Sequence, residues 1–240
     1  MADMPPFDPA DPDFITDPYP VFAELRKHAE VHWHDGLGLA IAVSHRACSE
    51  LLRQRALGRI WVDRTPAERF EAFNLLHRNS LLESEPPRHT HLRAAISAAF
   101  NRGHTERLRP WVGELAGRLV DSMGGSGDLL EHVAGPLPIE VIGELLGVPD
   151  DDRPRLQPWS NAIVKMYEYD LAPELAAGAE QAAQEFVDYL RELAARRATE
   201  PGPDLISDLI AVELSTDELV GTAVLLLDRK STRLNSSHER

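Results

Sequence analysis

Apolar residues along this chain recur mostly at three- and four-residue intervals, so nearly all of it reads as amphipathic helix. Asp17-Pro-Tyr-Pro20 leads into Val21-Phe-Ala-Glu-Leu25, proline just ahead of an apolar pattern, and predicts a short helix over 21–29. Val31 to His34 and Leu39 to Val43 are short, partly β-branched runs around Asp35-Gly-Leu-Gly38, the signature of a hairpin. Ser44 is placed to cap a helix carrying Ala47, Leu51 and Leu52. From Gly58 to Glu83 the periodicity breaks, and Trp61, Phe70, Phe73, Leu75 and Leu76 lie among charges, which predicts a long loop holding one short helix.

The remaining chain predicts a succession of helices. One follows Pro86-Pro87 to about Phe100, and the next follows Thr105 with Leu108, Val112, Leu115 and Leu119 on one core-facing stripe. Leu137 to Pro149 is bounded by Pro138 at its start and by Gly147 and Pro149 at its end, the proline-first, glycine-last asymmetry of a helix. Further helices are predicted over 151–168, 173–198 and Asp204 to Val212, with a Pro-Gly-Pro break at 201–203. At Leu214-Ser-Thr-Asp-Glu-Leu219, Ser215 and Glu218 form a capping box and Leu214 and Leu219 a hydrophobic staple, opening a last helix through Val220, Ala223 and Val224. The fold class is therefore mainly α with a small N-terminal β-hairpin, without internal repeat or dividing linker.

Composition narrows the function. The chain has 240 residues, 43% of them hydrophobic, enough for a packed core. With 39 acidic against 25 basic residues and a formal charge of -14, it repels nucleic acid and anionic membrane surfaces, so neither is an expected partner. Apolar runs such as Leu39 to Val43 and Ala223 to Leu227 are far shorter than the roughly 20 residues of a membrane span. The acidic, Pro-rich start, Met1 to Asp13, is unlike an export signal, and the single cysteine, Cys48, fits a reducing compartment, so the expected location is the cytoplasm.

One pair of residues points to an anion. At about 100° per residue, His89 and Arg93 lie within about 40° of each other on the helix after Pro87 and flank the direction of Ile96 and Phe100. A cation among apolar neighbours costs several kcal/mol unless an anion meets it. The partner is then a carboxylate of this chain or a bound anionic ligand, unless both side chains snorkel past the rim to water. His32 and His34, two apart on a strand, share a face, but no third ligand or acidic base accompanies them as a metal hydrolase would need, and alternation in an exposed hairpin explains them more simply.

Glu85-Pro-Pro-Arg-His-Thr-His-Leu-Arg93, followed by Ala98-Ala-Phe100, resembles the helix of the cytochrome P450 family on which a His and an Arg four residues apart hold a haem propionate. The family usually has Asp where this chain has Glu85. The resemblance extends, in order and spacing, through Asp17 to Arg26, the hairpin and following helix, Leu137 to Pro149, Asp204 to Leu209, and Leu214 to Leu227, and is of the soluble bacterial type. It implies that residues 1–227 are the N-terminal part of such a domain, that His89 and Arg93 contact the propionate, and that the cofactor of the complete parent is haem b. It further implies that Gly58 to Leu82 is the substrate-contacting loop, with Ser80, Leu81 and Leu82 lining the cavity unless they are ordinary loop and core contacts, and that the helices over 151–198 form an access lid.

The implied parent is a haem-thiolate monooxygenase that inserts one oxygen atom into a small organic substrate, with electrons from a ferredoxin-type or flavin donor. The family's chemistry needs a cysteine thiolate below the iron. Cys48 sits in Ser44-His-Arg-Ala-Cys-Ser-Glu-Leu-Leu52 without the family's glycine-rich approach, and reads as a small residue packed in a helix. Where the helix opening at Ser215 should, in the family, continue to an oxygen-handling groove, Asp228-Arg-Lys-Ser231 follows instead. Residues 228–240 carry Arg229, Lys230, Arg233 and Arg240 against Asp228 and Glu239, a basic segment on an acidic chain, and Asp228 through His238 resembles the translation of a sequencing-library adapter. This chain is thus expected to be an incomplete P450 fold, inactive alone and without stably bound haem. The alternative is a non-catalytic helical module that binds a ligand or partner, which haem binding would distinguish.

Overall fold

The Ser44 hydroxyl accepts the Ala47 N–H at 3.1 Å, the cap its sequence position predicts. The computed structural model describes residues 7–59, 61–99, 102–168 and 170–235. Their contacts divide the chain into one unit ending at Gly58 and a second beginning at Arg59.

The first unit holds α1 (Pro12–Thr16), α2 (Tyr19–His28), the antiparallel strands β1 (Val31–His34) and β2 (Leu39–Ala42), and α3 (His45–Arg53). Helix α1 was not expected from the apolar pattern. Asp11 starts it by accepting the Asp13 N–H at 2.8 Å, with Pro12 in its first turn. The hairpin corrects a second expectation. Its histidine face is the buried one, whereas Val31 and Trp33 are 46% and 49% exposed. The reason is polar: His32 Nε2 donates to the carbonyls of Leu25 and Ala29 at 2.9 and 3.0 Å, closing the end of α2, and His34 Nε2 donates to the Phe7 carbonyl at 3.0 Å. Both histidines are structural.

The second unit is helical. It comprises α4 (Glu71–Arg78), flanked by 3-10 turns at Ala67–Arg69 and Leu81–Glu83, then α5 (Arg88–Ala99), α6 (Arg102–Ser122), α7 (Pro136–Leu146), α8 (Leu156–Lys165), α9 (Pro173–Thr199), α10 (Leu205–Ala211) and α11 (Thr216–Asn235). A π-helical turn at Leu130–Ala134 precedes α7, and the predicted helix over 151–168 divides into a 3-10 turn at Asp150–Arg155 followed by α8. Helix α9 is the spine, with α8, α4, α10 and α11 packed on it. Its buried stripe alternates small and large residues: Ala176, Ala179 and Ala183 admit close neighbours, and Phe186, Leu190 and Leu193 fill the core.

Helix ends are closed as the sequence implies. Gly147 ends α7 at φ 73°, where a Cβ would meet Asp204 Oδ2 at 2.4 Å, so the position admits only glycine. Asp204 caps α10 through the Ser207 N–H at 2.9 Å, and its other oxygen pairs with Arg197 Nε at 2.6 Å. Ser215 and Glu218 form the expected capping box at α11, with Glu218 Oε2 taking the Ser215 N–H at 3.2 Å. The backbone of α11 continues past Asp228 to Asn235.

Candidate functional site

A cavity of about 420 Å³ opens between the stretch preceding α5, the end of α8 and the middle of α11. Leu76 from α4, Leu82 from the 3-10 turn, Val164 from α8, and Val224 and Leu225 from α11 supply its apolar wall. Gly221 lets α11 approach that wall: a Cβ there would lie 2.9 Å from the Asn79 carbonyl carbon and oxygen and 3.0 Å from the Leu76 oxygen. Such a concave, mainly apolar space with a few polar groups suits a small organic ligand.

The polar groups are local and paired. Arg59 Nη2 meets Glu83 Oε1 at 2.6 Å on one side of the cavity. On another, His77 is buried under Trp61, stacked on it at 4.5 Å between centroids. Its Nδ1 lies 2.7 Å from the Phe73 carbonyl, an oxygen that only accepts, so Nδ1 carries the hydrogen. Burial pushes the imidazole down to about 4, against the Phe73 hydrogen bond and assisted by the Arg59 and Arg64 cations. A neutral ring protonated at Nδ1 leaves Nε2 an acceptor, and the Tyr167 hydroxyl donates to it.

The expected site residues separate on this geometry. Ser80 is buried and lines the cavity, and its hydroxyl accepts the Leu82 N–H at 3.3 Å; Leu82 lines it as well. Leu81 does not, because its side chain turns to pack on the hydrophobic core. Sequence reasoning missed His77 and Tyr167, which stand 90 residues apart with no local pattern linking them.

Helix α5 corrects the wheel reading. Its buried stripe is Leu92, Ala95 and Ala99, with Ile96 half-buried, and Phe100 lies outside the described residues. Arg93, about 100° around the helix from Leu92, is exposed, and His89 is half-buried. The pair is therefore on the flank of the helix rather than on its core face, and neither residue is among those lining the cavity. Among the described residues neither side chain has a hydrogen-bond or ion-pair partner, while neighbouring Arg88 is held by Asn79 Oδ1 at 2.6 Å. Two adjacent N–H donors without a protein acceptor fit a carboxylate such as a haem propionate in their chemistry. Cys48, in the first unit, directs Sγ to the Ala42 carbonyl at 3.4 Å.

Among the described residues no cluster of three metal-binding side chains occurs and no helix is long and apolar enough to cross a membrane. No protein-family profile matches the chain. It is similar to the cytochrome P450 monooxygenase PikC of Streptomyces venezuelae, with 36% identity over 229 residues, covering 90% of this chain and 53% of that protein. It is also similar to the steroid C26-monooxygenase of Rhodococcus jostii, 32% identical over 89% of this chain and 48% of the relative. Among solved structures, the cytochrome P450 PksS of the bacillaene synthase from Bacillus subtilis superposes with a TM-score of 0.76 at 27% identity, covering 94% of this chain and 58% of that one. The P450BioI complex with an acyl carrier protein gives 0.84 at 22% identity and shares the fold. The chain spans about half the length of the curated relatives it matches.

Proposed function

We propose that this chain, which carries part of the cytochrome P450 fold, supplies the substrate-side wall of a haem-thiolate monooxygenase that inserts one oxygen atom into a small, largely apolar organic molecule. In this reading His89 and Arg93 hold a haem propionate, and Ser80, Leu82 and their neighbours line the substrate cavity. The observation that carries it is the pair of donors one turn apart on α5 that no acceptor among the described residues meets.

Haem, when bound, supplies the iron at which dioxygen is reduced and activated, with electrons from a ferredoxin-type or flavin donor. The residues of this chain bind and orient. His89 and Arg93 would fix the edge of the macrocycle through charge-assisted hydrogen bonds, the apolar wall of Leu76, Val164 and Val224 would exclude water from the substrate, and Ser80 would offer it a polar contact. In this reading Cys48, the chain's single cysteine, whose Sγ lies 3.4 Å from the Ala42 carbonyl, is not the axial ligand, and the chain is catalytically incomplete. Residues 228–240 are, on the same reading, foreign to the domain. Their codons should be missing from the genomic locus, and finding them there would remove that part of the proposal.

The propionate assignment is tested by titrating the protein with haem and with haem dimethyl ester, which keeps the apolar ring and loses both carboxylates. The expected result is a preference for haem of about tenfold or more that disappears in His89→Ala/Arg93→Ala. Equal affinity for both compounds, or an unchanged preference in the double variant, overturns the assignment.

A further inference from the structure

Helix α5 is held to its neighbours by few large side chains. Among the described residues its buried stripe is Leu92, Ala95 and Ala99, one leucine and two alanines, packed chiefly on α10 and on the 3-10 turn at Leu81–Glu83. Alanine methyls allow close approach, yet they form low ridges that resist rotation about the helix axis weakly. Rotation matters for His89 and Arg93. Side-chain ends lie about 5 to 6 Å from a helix axis, so a turn of about 20° carries them about 2 Å, enough to break a hydrogen bond to a fixed carboxylate.

Arg88 supplies the constraint that the apolar stripe lacks. Its Nη2 donates to Asn79 Oδ1 at 2.6 Å and lies 3.8 Å from Glu218 Oε1. Both partners are fixed in turn. Asn79 Nδ2 donates to the Leu75 carbonyl at 2.8 Å, which leaves Oδ1 turned toward Arg88, and Glu218 Oε2 is held by the Ser215 hydroxyl at 2.8 Å. Gly221 brings the backbone of α11 against that of Asn79. Arg88 thus ties the first turn of α5 to the end of α4 and the start of α11. Glu85, the nearest carboxylate upstream of α5, is engaged elsewhere, accepting the Arg59 N–H at 2.7 Å. At about 100° per residue, Arg88 lies within about 40° of Leu92, Ala95 and Ala99, so the tether acts on the packed side of the helix, with His89 and Arg93 about 100° and 140° around from it.

We propose that Arg88 is a positioning residue: through Asn79 and Glu218 it sets the rotation of α5, and with it the direction in which His89 and Arg93 present their N–H donors to a carboxylate. This rests on the propionate reading above and adds that the two contacts are made in register only while the Arg88 tether is intact. Arg88 acts through the helix and not by touching the carboxylate itself.

The test compares haem with haem dimethyl ester in Arg88→Ala and, separately, in Asn79→Leu, which removes the acceptor and leaves the Arg88 charge in place. The Arg88 side chain is 43% exposed, so its removal leaves the core intact. Affinity for the ester reports the apolar contacts and the integrity of the fold, whereas the ratio of haem to ester affinity reports the carboxylate contacts. The expected result is a ratio reduced by about two- to tenfold in both variants, with no further reduction when Arg88→Ala is added to His89→Ala/Arg93→Ala. A ratio unchanged in Asn79→Leu overturns the proposal even where it falls in Arg88→Ala, because Arg88 then acts by its own charge. Haem and ester affinities that fall by the same factor also overturn it, because the tether would then support the fold without aiming the donors. The wild type separates this proposal from the reading beneath it. A wild-type preference for haem that survives in either variant removes the positioning role alone, and no preference in the wild type removes the propionate assignment and the positioning role together.

Discussion

The Glu180 carboxylate on α9 accepts the Ala72 N–H at 2.7 Å and, through its second oxygen, the Phe73 N–H at 3.1 Å. The N-cap position of helix α4 is Phe70, which offers no side-chain acceptor, so the first turn is capped by a residue more than a hundred positions later. Burial raises the carboxyl above its ordinary range, against the two backbone hydrogen bonds that favour the charged form.

Glu180→Ala should therefore loosen α4 specifically. The expected loss is about 1 to 2 kcal/mol, with faster amide exchange at Ala72 and Phe73, while Glu180→Gln, retaining one acceptor oxygen, should keep most of the protection. Unchanged exchange in the alanine variant would contradict the capping role.

His77 gives stability a defined pH dependence. Its folded-state value, about 4, lies below the ordinary 6.5, so the unfolded chain binds a proton that the folded chain refuses. Stability from this residue is complete above about 6.5 and is lost as pH falls toward 4, by about 3 kcal/mol over the whole interval. Urea midpoints of the wild type and His77→Phe at pH 7 and pH 5 check this. The wild type should lose more stability than the variant on acidification, and parallel losses would contradict it.

Two adjacent positions on α11 should respond in opposite directions. Gly221→Ala drives a methyl group into the Asn79 and Leu76 carbonyls and should cost about 1 to 3 kcal/mol in spite of the better helix propensity of alanine. Thr222 is 1% exposed and its hydroxyl has no hydrogen-bond partner among the described residues, so Thr222→Val should be neutral or stabilising by about 1 kcal/mol. Denaturant unfolding of the two variants separates them, and a destabilised Thr222→Val would show that the hydroxyl has a partner.

The fold was legible wherever a local signal sufficed. Ser44, Gly147, Asp204 and the Ser215–Glu218 box mark helix ends through interactions within a few residues, and the structure places an end at each. Periodicity misjudged faces where a polar group had a distant obligation: His32 and His34 turn inward because the carbonyls of α2 and of Phe7 need donors. On α5 the stripe through Leu92, Ala95 and Ala99 outweighs the one through Ile96, because the small alanines allow close packing there. Of the cavity residues, Ser80 and Leu82 followed from resemblance, whereas His77, Tyr167 and Gly221 are brought together only by tertiary folding.

The claim that this chain bears the propionate contacts of a P450 but no axial thiolate is tested most directly by the Soret band of the haem-treated protein, reduced and exposed to carbon monoxide. The expected spectrum lacks the thiolate-type carbonyl band in both the wild type and Cys48→Ala. A thiolate-type band in the wild type that vanishes in Cys48→Ala would show that Cys48 ligates the iron, and would contradict both the local role of Cys48 in α3 and the catalytic incompleteness of the chain.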